Sequence, residues 1–220
     1  MVFLFGVYGT VNCQIEDKMK NEGVVKGFII KDGVETEGYI KAKGIIYSRE
    51  QYYSAPWQFQ DDIRFIPKDV FENTPKIKSK LYKKYAPKDI DAYRYEDMLF
   101  ESVKYADMSS VNINMFSQRM FMRRIIDGKI SVFYHYVSPP VVLVGEPIEP
   151  YYVSCAKEQV VYRKDKDGKL KLMDTVSGIN LDKELDNCQY IREKRENGGY
   201  SGNQMEIRLS VIEDYNKNCD

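Results

Sequence analysis

The sequence contains a single histidine, His135. Histidine-based catalysis therefore has one candidate, and any metal site that needs two histidines is ruled out. His135 stands in Val132-Phe133-Tyr134-His135-Tyr136, where strand periodicity puts it on one face with Phe133 and Val137. Spacing supplies it with no partner, so a packed structural histidine is expected. Gly199-Tyr200-Ser201-Gly202 falls one residue short of the nucleophile-elbow pattern and lacks the strand that must precede an elbow. Ser201 is expected to cap a helix instead. In Asp165-Lys166-Asp167-Gly168, a calcium loop would place its first ligand on Arg163, a cation where a carboxylate is needed. A hairpin turn is the expectation. Asp61, Asp62, Asp89, Asp91, Glu96 and Asp97 offer carboxylates, and a glycosidase needs only two at a suitable separation. With 30% charged residues, almost any chain meets that condition on paper. No Gly-rich phosphate loop or dinucleotide fingerprint occurs. The sequence thus assigns no catalytic, cofactor-binding or metal-ligating residue, and no cofactor is expected.

Aromatic residues are the most informative surplus. There are 18 tyrosines, and Tyr47, Tyr52, Tyr53, Trp57 and Phe59 crowd one short stretch. Tyr and Trp give stiff, amphipathic contact area, so Tyr47, Tyr52, Tyr53 and Trp57 are the candidate ligand surface, set against plain cross-strand packing. Lys and Arg number 33 against 33 Asp and Glu, which removes the electrostatic case for a nucleic-acid partner. The one basic cluster, Lys76 to Lys84, is expected to be a strand with Lys76, Lys78 and Lys80 in solvent and Ile77 and Leu81 inward. Contact with phosphate or lipid headgroups is the alternative.

Residues 1–13 carry no charge, whereas five of the next nine do. Thirteen helical residues span about 20 Å, too short for a bilayer core, and resemble the apolar region of a signal peptide. Cleavage after Cys13 would leave Gln14 first; lipidation of Cys13 and a buried strand are the alternatives. Nothing later in the sequence is long and apolar enough to span a membrane. Three cysteines then remain. A helical hairpin turning at Asn197–Gly199 brings Cys188 and Cys219 within bridging reach, leaving Cys155 as a thiol.

Strand signals dominate residues 24–173. Asp32-Gly33 and Asp165–Gly168 mark hairpins, and Ile90–Tyr95 and Met98–Tyr105 read as further strands. Gly27 and Gly38, inside strands, point to a bulge or a close backbone approach. One helix is expected from Asn114 to Asp127, closed by Gly128. From residue 180 the pattern turns helical, with a capping box at Ser201 and Gln204. The expected fold is α+β, a mostly antiparallel β-sheet or partly open barrel with one inserted helix and a C-terminal helical hairpin. The expected divisions are a signal peptide over 1–13, a β-rich domain over 14–173 and a helical region over 174–220.

GFIIKDGVETEGYIK, FMRRIIDGKISVFYHY and the ending with Cys188 and Tyr215-Asn216-Lys217-Asn218-Cys219 resemble a group of uncharacterised secreted proteins of Bacteroidetes-type bacteria. The likeness spans roughly residues 24–219. It implies an exported location, in the periplasm, outer envelope or extracellular space, and carries no active site over. The functional expectation is an exported cell-envelope protein acting as a non-catalytic binding or scaffolding module, its partner an envelope protein or glycan. The alternative is a carboxylate-based hydrolase acting on a polysaccharide.

Overall fold

The structure is a computed structural model describing residues 6–42, 46–48, 51–53, 56–105, 118–137 and 157–219. Among these residues ten strands form one antiparallel sheet that is not closed, with a helical segment at the C-terminal end, so the chain is α+β. It divides into two compact units, residues 1–123 with 136–157 and residues 124–135 with 158–220.

The first unit opens with helix α1 (Gly6–Glu22), which runs through Cys13–Gln14, the expected cleavage point. The hairpin β1 (Val25–Lys31) and β2 (Val34–Ala42) follows. Asp32 and Gly33 both have positive φ, 51° and 76°, the geometry that a type I′ turn demands and that an Asp-Gly pair tolerates. Gly27 lies directly opposite Gly38. A Cβ on Gly38 would stand 2.3 Å from the Ile66 carbonyl oxygen and 2.4 Å from the Phe65 ring, and one on Gly27 would stand 2.4 Å from the Arg94 carbonyl oxygen. The two strand glycines are there to let backbone and ring approach.

Strands β3 (Ile46–Ser48) and β4 (Gln51–Tyr53) form a separate two-stranded ribbon. A 3-10 turn (Pro56–Gln60), β5 (Ile63–Pro67), helix α2 (Lys68–Asn73), β6 (Lys83–Tyr85), β7 (Ala92–Tyr95) and β8 (Met98–Tyr105) complete the series. The strand order is β8-β7-β1-β2-β5-β6. Alternation on β2 and β5 buries residues on both faces. Ile40 and Phe65 join an aromatic cluster with Phe59, Tyr93, Tyr95, Phe100 and Phe121. Tyr39 and Ile66, pointing the other way, join Phe71 of α2 and Ile15 and Met19 of α1. A sheet covered on both sides explains why neighbouring positions of one strand are both apolar.

Residues 118–126, expected to be helical, form strand β9 (Gln118–Ile126), and residues 111–117 lie outside the described part. The spacing of Met120 and Phe121 suits a helix, but Arg-Met-Phe-Met-Arg-Arg-Ile-Ile also suits a strand, and the neighbouring β8 decides the matter. A helix between strands occurs instead at α2, which the sequence did not signal. The lysine run, expected to be one strand, holds a 3-10 turn (Ser79–Leu81), and only Lys83–Tyr85 pairs with β5, at the sheet edge. Exposed lysines on an edge strand discourage pairing with another chain.

The second unit comprises the end of β9, most of β10 (Ile130–Val137), β11 (Lys157–Lys164) and β12 (Lys171–Leu172), then helices α3 (Thr175–Leu185), α4 (Gln189–Glu196) and α5 (Gln204–Asn218). Ile126, Ile130, Val132 and Tyr162 from the strands bury Leu181, Leu185, Ile191, Val211 and Ile212 from the helices. The expected helix over 180–196 is two helices, because the chain turns at Asp186–Cys188 and Cys188 becomes the N-cap of α4. The expected capping box forms on Asn203 and Glu206, not on Ser201 and Gln204. Gly202, at φ +118°, cannot be helical, so the helix starts after it.

Candidate functional site

The C-terminal unit brings together residues far apart in sequence. Cys188 and Cys219 form a disulfide with Cα atoms 6.0 Å apart, tying the start of α4 to the end of α5. The register is achievable because the connection over 197–203 is seven residues long. It can make up the roughly 10 Å by which α5 outruns α4. One turn earlier on α5, the Asn216 side chain treats Ile130 as a strand partner. Its Oδ1 accepts from the Ile130 amide at 2.9 Å and its Nδ2 donates to the Ile130 carbonyl at 2.8 Å. Gly128, at φ +148°, lies against it, and a Cβ there would stand 2.5 Å from Asn216 Cγ. Lys129 Nζ donates to the Cys219 carbonyl at 2.7 Å. Gly128-Lys129-Ile130 and Tyr215-Asn216-…-Cys219, read from sequence as separate features, are thus the two halves of one latch. A groove of about 370 Å³ opens over the disulfide between Tyr190 and Tyr215.

Two further fasteners hold this unit. Arg208, buried on α5, forms a two-pronged pair with Asp182 of α3 at 3.0 and 2.7 Å. Gly178 makes room for it, since a Cβ would stand 2.4 Å from the guanidinium. Asp214 accepts from Lys194 at 2.7 Å and from Tyr200 at 2.9 Å. Burial alone would raise the Asp214 carboxyl, but those two hydrogen bonds outweigh it and hold the group below the usual carboxylate range. The same bond draws the Lys194 ammonium upward.

The candidate aromatic surface lies in the other unit. The ribbon register sets Tyr47 opposite Tyr52 and Ile46 opposite Tyr53; the side chains of these tyrosines fall outside the described part. Trp57 is half-buried in the 3-10 turn that follows. That turn is bolted down. Phe59 stacks on Tyr95 with ring centres 4.7 Å apart, and Tyr93 donates its hydroxyl to the Phe59 carbonyl. The buried Gln60 amide exchanges two hydrogen bonds with the backbone of Tyr136, at 2.8 and 2.7 Å. Phe59, grouped by sequence with the candidate surface, is therefore core. Burial pushes the phenols of Tyr93 and Tyr95 upward, so they remain hydrogen-bond donors at any physiological pH.

The remaining candidates fall into structural roles. His135 is buried, its Nδ1 3.0 Å from Gln159 Oε1. Asp89 Oδ2 accepts from the Ala86 amide at 2.8 Å, Asp91 Oδ2 from the Gly33 amide at 3.2 Å, and Asp62 pairs with Lys84 at 2.5 Å. Glu96 and Asp97 form the β7–β8 turn, with Glu96 at φ +52°. Asp165, at φ +59°, begins a turn closed by the Gly168 amide donating to its carbonyl at 3.1 Å. Ser201 is exposed beside Gly202. Among the described residues no group of three or more His, Cys, Asp or Glu is placed to hold a metal ion, and no helix is long and apolar enough to cross a membrane. Cys155 lies outside the described residues.

Sequence reading missed Gln60, Asn216 and Arg208 as fasteners. A lone Arg in the apolar pattern of α5 was the available signal for the last, and Asn216 sat within the C-terminal motif. Compared with family models, curated proteins and solved structures, the chain matches none.

Proposed function

We propose that the chain is an exported cell-envelope protein serving as a non-catalytic binding or scaffolding module. The observation that carries this reading is the Cys188–Cys219 disulfide, because structural disulfides persist in oxidising compartments outside the cytoplasm. The resemblance to secreted proteins of Bacteroidetes-type bacteria supports the same location. The contact surface proposed is the ribbon that carries Tyr47, Tyr52 and Tyr53 together with Trp57 of the 3-10 turn that follows it in the chain. The partner is an envelope protein or glycan.

Trp57 is the only tryptophan, so its fluorescence reports on that surface alone. Titration with soluble glycan and protein fractions of the native envelope should give a saturating emission change. Tyr52→Ala with Tyr53→Ala should weaken it at least tenfold, about 1.4 kcal/mol, the scale of exposed aromatic anchors. An emission change indifferent to those substitutions would remove the ribbon from the account. Release of new reducing ends from the glycan would replace it with the carboxylate-based hydrolase.

A further inference from the structure

Between Pro75 and Lys88 the chain carries six lysines, at 76, 78, 80, 83, 84 and 88, and no Asp or Glu. The other residues hold 27 Lys and Arg (33 less these six) against 33 Asp and Glu. A chain neutral as a whole is therefore polarised, with its cationic surplus in one segment. That segment is held in place. Ile77, Leu81 and Tyr82 pack against the cluster of Val24, Tyr39, Ile66 and Phe71, the Leu81 amide donates to the Lys78 carbonyl at 2.9 Å, and β6 pairs with β5. With those anchors turned inward, all six lysines are exposed. Lys84 is paired with Asp62 and Lys83 stands over the Tyr85 ring at 5.0 Å. Lys76, Lys78 and Lys80 make no ion pair among the described residues.

The setting favours a lipid surface over other polyanions. Helix α1 packs on the same apolar cluster through Ile15 and Met19, and Lys76 shares a groove of about 660 Å³ with Gln14 and Lys18. Asp17, Glu22 and Glu72 occupy the same groove, which leaves Lys78 and Lys80 as the more outward charges. The sequence that leads into Gln14, residues 1–13, is uncharged. Where Cys13 carries an acyl chain, that one chain binds membranes only marginally, and a neighbouring polybasic patch is the second attachment that makes such binding stable. Ammonium groups on flexible stems suit a field of phosphates better than one shaped anion site.

We propose that the segment from Lys76 to Lys88 is a docking surface for anionic lipid headgroups. The surface acts independently of the aromatic ribbon and does not depend on which side of a membrane the protein occupies. Each lysine near an anionic bilayer contributes about fivefold in partitioning.

Vesicle co-sedimentation of the full chain tests this directly. Binding is expected to phosphatidylcholine vesicles containing about a third phosphatidylglycerol, and to be lost in about 0.5 M salt. Lys76→Gln, Lys78→Gln and Lys80→Gln together should weaken it about a hundredfold without moving the melting temperature. The matching Lys→Arg triple variant should bind within about twofold of the original, since a surface potential reads charge and not shape. Free inorganic phosphate at about 10 mM should compete little, because one phosphate does not reproduce the field of a bilayer. Equal binding to pure phosphatidylcholine, retention by the Gln triple variant, or full displacement by inorganic phosphate would each overturn the proposal.

Discussion

Replacing Cys188 and Cys219 together by serine lowers the unfolding free energy by roughly 3–4 kcal/mol. The bridge joins residues 31 apart, and for a loop of that length the chain-entropy model gives about 3.7 kcal/mol, an upper figure because the denatured chain is not a free coil. The latch adds to it. Without the bridge, the last turn of α5 must hold Asn216 against Ile130 and the Cys219 carbonyl against Lys129 by helix stability alone. Urea unfolding should show a lower midpoint, and the original protein in excess dithiol should superimpose on the serine variant. Asn216→Ala, with the bridge intact, should cost about 1–3 kcal/mol, the cost of leaving buried backbone groups unpaired. A loss below about 1 kcal/mol for the double serine variant would show that the bridge closes nothing the helices do not already close.

Arg208→Ala is expected to destabilise the C-terminal unit by about 3 kcal/mol. Arg208 is 4% exposed, and its partner Asp182 retains 26% side-chain exposure. Removing the guanidinium leaves a largely desolvated carboxylate with only Arg195, at 4.0 Å, and breaking one side of such a pair costs about 3–5 kcal/mol when burial is complete. The cavity beside Gly178 adds to the loss. Replacing both partners by leucine should recover most of it, since an apolar pair of similar volume often matches a buried ion pair. Equilibrium denaturation of the two variants checks this. Equal loss in both would mean that packing around Gly178, and not the charge pair, holds α5 to α3.

Local chemistry made part of this fold legible. Asp32-Gly33 specified its hairpin because a turn with two left-handed residues excludes most other pairs. Gly27 and Gly38 announced a close approach that the opposed rings and carbonyls confirm. The Cys188–Cys219 pairing could be read because the Gly-rich stretch at 197–199 implied a helix folding back. What could not be read was decided by contacts distant in sequence. Residues 118–126 carry helix-compatible spacing, but a waiting sheet edge makes them β9. The break at Asp186–Cys188 contains neither Gly nor Pro, and no local signal distinguishes it from a continuing helix. The helix start at Asn203 turns on the left-handed Gly202, which one sequence does not separate from the neighbouring Gly198 and Gly199. The candidate ligand surface was legible as composition only. Buried Phe59 belonged to the core, while Tyr47 and Tyr52 are placed by register alone.

We propose that this protein works in an oxidising compartment, closed by its C-terminal bridge. Thiol trapping in intact native cells, followed by fractionation and non-reducing peptide mapping, tests it most directly. The protein should be recovered outside the cytoplasm, with the peptides containing Cys188 and Cys219 joined and neither alkylated. Recovery in the cytosol with both thiols alkylated, or Cys155 joined to either of them, would contradict it.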